Sequence, residues 1–414
     1  MRIQQEAEEA WLKMTQVYSE IGRLRKVMLH RPGRELCQVL PSQLSGMLFE
    51  DTPYLAEAQK EHDAFAKILT DAGVEVLYLT DLMKSAFESP KVRYEFVSEF
   101  LEASHITSPA LVEKLEDLYL RMSPDELVET VLCGIRSDDA RLQDVTSFGN
   151  LGAREAVFAV CPLPNIYFMR DNSISLGHDV IYSHMEKRVR KREAIVLRYV
   201  RQHAKEFQDT KEEDLYDLSF PQRIEGGDVL VLSDHSVIIG CSERTSPVSI
   251  EYIAHSLFER GYTEVYAFDI GMHRASMHLD ISLSMVDVDT FLYNPLIDGT
   301  TDIYRLFPAP TGVGYDYVGK DWHRALAQAT GNPDVRLIPC GGDDPVDTEW
   351  ELWNLGANVL AIAPGEVVGY ERTPITLDFL DKAGIAVHTF PSGELSRGRG
   401  GTHCMSMPLV RDLL

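Results

Sequence analysis

Asp228-Val-Leu-Val-Leu232, Ser236-Val-Ile-Ile-Gly240 and Glu243-Arg-Thr245 return far downstream as Asn358-Val-Leu-Ala-Ile362, Glu366-Val-Val-Gly369 and Glu371-Arg-Thr373. Each copy reads as two short apolar runs joined by a turn. Each then continues into a stretch of helical periodicity (Val248 to Arg260; Ile375 to Ala383), a glycine, and a further strand (Glu264-Val-Tyr-Ala-Phe268; Ile385-Ala-Val-His-Thr-Phe390). Self-similarity on this scale signals one supersecondary unit used repeatedly, with strands alternating with helices. The fold class expected is therefore α/β.

The same grammar extends toward the N-terminus. Residues 1–20 read as a polar lead-in with some helix. A short strand over Lys26–Gly33 ends in a Pro-Gly turn, and Pro53–Leu69 carries apolar residues at helical spacing. Gly73 closes that helix before the strand Val74–Leu79. Strand texture is read again at Asn165–Asp171, with a turn at Gly177-His-Asp179, a strand at Val180–Tyr182, and another over Ile281–Val286. Counting the unit at 24–79, about five copies fit the pattern. Residues 81–147 depart from it: charged and apolar residues alternate at helical spacing, Pro90, Pro109 and Pro124 punctuate, and strand runs are absent. This stretch reads as several short helices inserted into a single domain spanning 1–414.

Composition narrows the function. The 414 residues carry 64 acidic and 40 basic side chains, a formal charge of −24. So acidic a chain disfavours nucleic acid and anionic membrane as partners and mildly attracts a cationic substrate. The basic run from Glu186 to His203 then reads as an amphipathic helix rather than a nucleic-acid patch. No 18-residue apolar run suggests a membrane span. Six scattered cysteines without a CxxC pair suit a reducing, cytoplasmic setting.

Chemistry-bearing residues keep step with the repeat. Asp171, Glu225 and His278 are 54 and 53 residues apart, each near a strand end. If the units close around an axis, those ends converge and Asp280 and Cys404 can join them. Cys404 lies in Arg397-Gly-Arg-Gly-Gly-Thr-His-Cys404, where Gly398, Gly400 and Gly401 can take backbone conformations closed to other residues. A thiol nucleophile needs a base oriented by a third group, which His278 and Glu225 can supply. Asp171 and Asp280 read either as a cation-binding pair or as turn-capping aspartates. No close His/Cys pair marks a zinc site, and neither a GxGxxG element nor a Walker loop is present, so neither metal nor nucleotide cofactor is expected.

Taken together, Phe168-Met-Arg-Asp171, Glu225-Gly-Gly-Asp228, Ser242-Glu-Arg-Thr245, Met277-His-Leu-Asp280 and Arg397–Leu409 resemble the arginine deiminase family. His30-Arg-Pro-Gly33, Leu48-Phe-Glu-Asp51 and Ala361–Glu366 add to the likeness, which runs in order from residue 20 onward. The resemblance implies the pentein fold, a five-bladed pseudosymmetric α/β propeller of guanidine-modifying enzymes, with a helical insertion after the first blade. It implies hydrolysis of free arginine to citrulline and ammonia without cofactor, by a homo-oligomer (dimer or tetramer). Cys404 would attack the guanidinium carbon, His278 with Glu225 would move protons, and Asp171 and Asp280 would hold the nitrogens. Arg190 and Arg244 would meet the substrate carboxylate, assisted by Asn165, Phe168, Arg399 and Gly400. A sister activity on agmatine or a methylated arginine, and a silent arginine-binding protein, are the competing readings. The chain departs from the family pattern at Trp350-Glu-Leu-Trp353, Leu355, Ser173 and Thr373, all outside the expected catalytic set.

Overall fold

The computed structural model describes residues 15–145, 157–208, 210, 212–271 and 277–414. The first 14 residues of the expected lead-in, and the last two of the expected insertion, lie outside that range.

One construction recurs: an antiparallel hairpin, a helix, and a third strand that returns parallel to the second. In the quoted unit, strands Val229–Val231 and Ser236–Ser242 form the hairpin, helix Pro247–Glu259 follows, and Glu264–Gly271 runs parallel to Ser236–Ser242. Its downstream echo repeats this with Leu360–Ala363, Glu366–Tyr370, helix Pro374–Lys382 and Ala386–Phe390. Between them, Leu283–Asp287 and Thr290–Tyr293 pair before helix Trp322–Thr330 and parallel strand Arg336–Pro339. Hairpin Ser173–Leu176/Asp179–Tyr182 turns at Gly177 (φ +62°) and precedes helix Lys191–His203, after which Asp214 bridges parallel to Val180. A parallel return requires a crossover, and the helix supplies it.

The chain ends share a sheet. Met407–Arg411 pairs antiparallel with Leu24–Leu29, which pairs in parallel with Glu75–Tyr78 across helix Leu55–Asp71. The expected strand, loop, helix and strand at 24–79 are thus in place, and a strand from the far end of the sequence completes them. Gly73 (φ +81°), Gly261 (+95°) and Gly384 (+85°) end three crossover helices in a conformation that glycine adopts without strain. The sheet of the quoted unit is extended by the long hairpin Asp302–Ala309/Gly312–Gly319, giving five strands.

In the stretch 81–147, Pro90, Pro109 and Pro124 each open a helix: Pro90–Glu102, Pro109–Arg121 and Pro124–Cys133. The preceding Ser89, Ser108 and Ser123 cap them, Ser123 in a full capping box with Glu126. Such caps are worth about 1 kcal/mol each. Phe96, Phe100, Tyr119 and Val131 bury an apolar core against Val196, Leu197 and Val200 of helix Lys191–His203. Strand is not wholly absent, since Ile135–Arg136 pairs with Phe158–Val160.

One expectation needs correction. Asn165–Asp171 is not a strand. Ile166 and Phe168 bond back to Leu163 and Asn165, a helical turn covers Met169–Asp171, and the strand begins only at Ser173. Its apolar side chains are buried around a turn, which alternation cannot distinguish from a ladder. The expected helix is present over Lys191–His203, and it buries two of its basic side chains as well as its apolar ones. Arg192 and Arg201 are buried, Arg201 on Glu212 at 2.6 Å and Arg192 on the Cys161 carbonyl at 2.8 Å.

Candidate active site

Three short turns and one loop meet at a single point. The turns are Met169–Asp171, Gly226–Asp228 and Leu279–Ile281, each one turn of 3₁₀ helix leading into a strand. Their preceding residues are Phe168, Glu225 and His278. Glu225 and His278 therefore hold corresponding places, whereas Asp171 corresponds to Asp228. The 53 residues from Glu225 to His278 therefore reflect the repeat, whereas the 54 from Asp171 to Glu225 join non-equivalent positions, although all three side chains do converge.

Glycine makes the convergence possible. A Cβ on Gly227 would lie 2.6 Å from His278 Nδ1 and 3.0 Å from Asp171 Oδ1, and one on Gly226 would lie 2.0 Å from the Arg170 carbonyl oxygen. In the loop before Cys404, a Cβ on Gly400 would meet the Phe168 ring at 2.2 Å, and one on Gly401 would meet the Asn358 carbonyl at 2.6 Å. Close approach explains these glycines. The expected unusual backbone conformation falls instead on Arg399 (φ +68°), a non-glycine residue. The Arg399 guanidinium stacks 3.8 Å above the Trp353 ring and donates to the Trp353 carbonyl at 2.7 Å.

At the centre, His278 Nε2 lies 2.9 Å from Glu225 Oε2, and His278 Nδ1 lies 3.5 Å from Asp171 Oδ1. Cys404 Sγ is 3.3 Å from Asp280 Oδ2. All five residues are at most 3% exposed. Asp280 Oδ1 is buried without a hydrogen-bond partner among the described residues. Arg244 Nη1 donates to Glu225 Oε2 at 3.2 Å, and its Nε has no hydrogen-bond partner among the described residues. Arg190 donates to Asp171 Oδ2 at 2.5 Å and to Glu193 Oε2 at 2.9 Å. Asn165 is held by the Met47 carbonyl and accepts through its own carbonyl from Arg190.

Nine of the eleven residues expected at the site line one cavity of about 20 Å³; Glu225 and Asp280 stand directly behind His278 and Cys404. A far larger hollow of about 860 Å³ opens elsewhere, between residues 42–47, 103–111 and 188–192, and contains none of these groups. Chemistry rather than size marks the site.

Two contacts escape a reading of the sequence. Asn358 donates from Nδ2 to Cys404 Sγ at 3.2 Å and to the Asp280 carbonyl at 2.9 Å, and its Oδ1 accepts from the Cys404 amide. The repeat held the signal, because Asn358 stands where the earlier copy has Asp228. Behind Asp280, His403 Nδ1 lies at 2.8 Å from Asp280 Oδ2 and its Nε2 at 3.1 Å from Glu20 Oε2.

Burial opposes charge on His278, but the Asp171 carboxylate and the Glu225 hydrogen bond outweigh it and push its pKa up to about 9. Burial likewise opposes charge on Glu225, yet Arg244 and His278 bring it down to about 2. The pair is thus imidazolium and carboxylate at neutral pH. Burial and the Asp280 and Asp171 carboxylates push the Cys404 thiol well above its ordinary value. Among the described residues, no group of three or more His, Cys, Asp or Glu is placed to hold a metal ion. The arrangement is two buried carboxylates beside a thiol, with a protonated imidazole alongside. It suits a planar, delocalised cation laid over the sulfur.

The family model "arginine deiminase" matches residues 45–411. An arginine deiminase of Limosilactobacillus reuteri is 41% identical over 96% of this chain and 98% of its own length, and one of Clostridium perfringens is 39% identical over the same shares. Among solved structures, a DDAH from Pseudomonas aeruginosa complexed with citrulline superposes with a TM-score of 0.52 at 14% identity, covering 93% of this chain and 99% of that one. An amidinotransferase from Microseira wollei superposes with a TM-score of 0.53 at 16% identity, covering 97% and 98%. These structures share the fold, and the sequence relatives and family model agree over nearly the whole length: the chain belongs to the arginine deiminase family.

Proposed function

We propose that the chain hydrolyses free L-arginine to L-citrulline and ammonia through an amidino-cysteine intermediate at Cys404. The observation that carries this is the Cys404 thiol in contact with Asp280, with the Asp171–His278–Glu225 line converging on the same buried cavity.

A guanidinium held between Asp171 and Asp280 brings positive charge to the two carboxylates that disfavour the thiolate. The substrate therefore promotes ionisation of the thiol that attacks it. Two carboxylates also fix the guanidinium plane against the sulfur, and orientation of this kind can supply ~7–11 kcal/mol of a barrier in favourable cases. Cys404 Sγ adds to the guanidinium carbon, His278 donates its proton to the departing nitrogen, and ammonia leaves. Water then adds to the amidino carbon, giving one proton to His278, and the C–S bond breaks as the new hydroxyl gives its other proton to solvent, releasing citrulline and the thiolate. Glu225 stays ionised throughout, orients the imidazole and favours its protonated form before and after the two proton transfers.

A cavity of about 20 Å³ holds roughly one water molecule, so arginine enters only as side chains move. Arg190 now occupies Asp171. A substrate that brings both a guanidinium for Asp171 and a carboxylate for Arg190 replaces that ion pair at both ends. Arg244, with one nitrogen unbonded among the described residues, is the second carboxylate partner. Asn165, Phe168, Arg399 and Gly400 complete the binding wall.

The same reading takes the recurring hairpin–helix–strand units as five blades closed around the site, in one domain with residues 81–147 as an inserted helical subdomain. Support comes from the shared construction of the sheets and from the pairing of Met407–Arg411 with Leu24–Leu29. A cytoplasmic homo-oligomer belongs to this reading too. No described helix is long and apolar enough to cross a membrane.

The test is citrulline formation by purified protein from arginine, with agmatine and methylated arginine as alternatives. Cys404→Ser should abolish turnover and keep the fold, and acid quench should trap an amidino adduct on the wild type only. Substantial citrulline production by Cys404→Ser would remove Cys404 from the nucleophile role.

A further inference from the structure

The loop that ends at Cys404 begins on a carboxylate from the other end of the sequence. Glu61, on helix Leu55–Asp71, is 7% exposed. Its Oε2 accepts from the Glu394 amide at 3.0 Å and from the Leu395 amide at 2.9 Å, and its Oε1 accepts from the Glu394 amide at 3.1 Å. These amides open the turn Leu395–Gly398, which has no side-chain cap of its own. Such amide groups lack partners within a turn, and an ionised acceptor binds them more strongly than a neutral one. The turn runs directly into Arg399 and Gly400, which line the cavity, and Gly398 packs on Tyr167 and Phe168.

We infer that Glu61 is a positioning residue for substrate binding: its carboxylate seats the start of the 394–404 loop and thereby sets where Arg399 and Gly400 stand against arginine. This inference rests on the arginine-binding reading of the cavity. Glu61 has no cationic partner among the described residues that would give it a separate structural task. Its hydrogen bonds to the loop are made to backbone amides, so they hold the loop whatever its side chains. Other ties flank it. The Glu50 amide donates to the Arg397 carbonyl, and the Tyr54 amide donates to Glu394 Oε2. With these intact, loss of Glu61 loosens the loop without unseating it.

Glu61→Gln keeps one acceptor oxygen but turns an NH₂ group toward an amide that is itself a donor. Glu61→Ala removes both acceptors. The expected result is KM for arginine raised roughly 3–10-fold in the glutamine variant and more in the alanine variant, with kcat within about twofold, the signature of lost binding rather than lost chemistry. Hydrogen exchange at the Glu394 and Leu395 amides should speed up in both. A wild-type KM in Glu61→Gln, or a fall in kcat alone, overturns the inference even if thermal stability drops. Should Glu61→Ala fail to fold, the glutamine variant decides. The exchange measurement needs no turnover, so absence of citrulline from the wild type would strike the proposed function, whereas unchanged exchange would strike Glu61.

Discussion

Replacing Asn358 tests how the thiolate is held. Its side-chain amide donates to Cys404 Sγ at 3.2 Å, and its oxygen accepts from the Cys404 amide at 3.2 Å. Asn358→Ala removes both. A hydrogen bond to a charged group is worth about 1.5–3 kcal/mol. At 1.36 kcal/mol per factor of ten, the loss of thiolate stabilisation predicts a fall in kcat of roughly 10- to 150-fold. The unpaired Cys404 amide adds about 1–3 kcal/mol to the destabilisation of the fold, visible as a lower Tm. Asn358→Asp sharpens the test, because it keeps shape and acceptor but adds a third carboxylate beside the sulfur, after Asp280 and Asp171. A like charge in contact disfavours the thiolate further, so aspartate should be slower than alanine. The assay is citrulline production at saturating arginine, with Tm measured in parallel. Alanine within twofold of wild type, or aspartate faster than alanine, would refute the donation argument.

Agmatine lacks the carboxylate that Arg190 and Arg244 are read to meet, so its kcat/KM should be lower by about two orders of magnitude or more. Arg244→Ala should narrow that gap, and comparable turnover of both substrates by the wild type would sink the assignment to free arginine. His278 has a folded pKa of about 9, above its ordinary value. Its stabilising contribution is therefore complete below about pH 6.5 and is lost as pH rises through 9. Thermal denaturation from pH 7 to 10 should show that loss in the wild type and a smaller one in Glu225→Gln, where Asp171 still favours the charged imidazole, and turnover should fall over the same range. Trp353→Ala removes the ring beneath Arg399, a contact worth about 0.5–2 kcal/mol. KM for arginine should drop severalfold if that ring competes with substrate for Arg399, and an unchanged KM would end that idea.

Local signals carried much of the reading. The repeat is legible because apolar runs and closing glycines recur in the same order, and Ser-Pro pairs announce the inserted helices at Pro90, Pro109 and Pro124. Cys404, His278 and Glu225 are legible because a thiol, a base and an orienting group are chemically conspicuous. What escaped the reading shares, with one exception, a cause: the deciding partner is distant in sequence. Asn358 gains its meaning from Cys404, 46 residues on. Arg399 takes its left-handed backbone beside Trp353 rather than delegating it to the adjacent glycines. Arg201 is buried because Glu212 and Ser175 meet it inside, partners that a helical period does not reveal. The run 165–171 failed for a different reason, since an apolar stretch buried on all sides has no period to read.

The pairing of Met407–Arg411 with Leu24–Leu29 also bears on how the enzyme comes into being. Leu24 and Arg411 are register partners, so this sheet closes one of the longest loops that the chain can form, and contacts of that range slow folding. Cys404 lies just before the strand that closes it, and the thiol's surroundings come from residues 171, 280 and 358, all made earlier. A growing chain can therefore fold its earlier repeats as they emerge while the Cys404 thiol is still missing from the site. On the reading that Cys404 is the nucleophile, a chain that stops short of it is expected to be silent toward arginine rather than partly active.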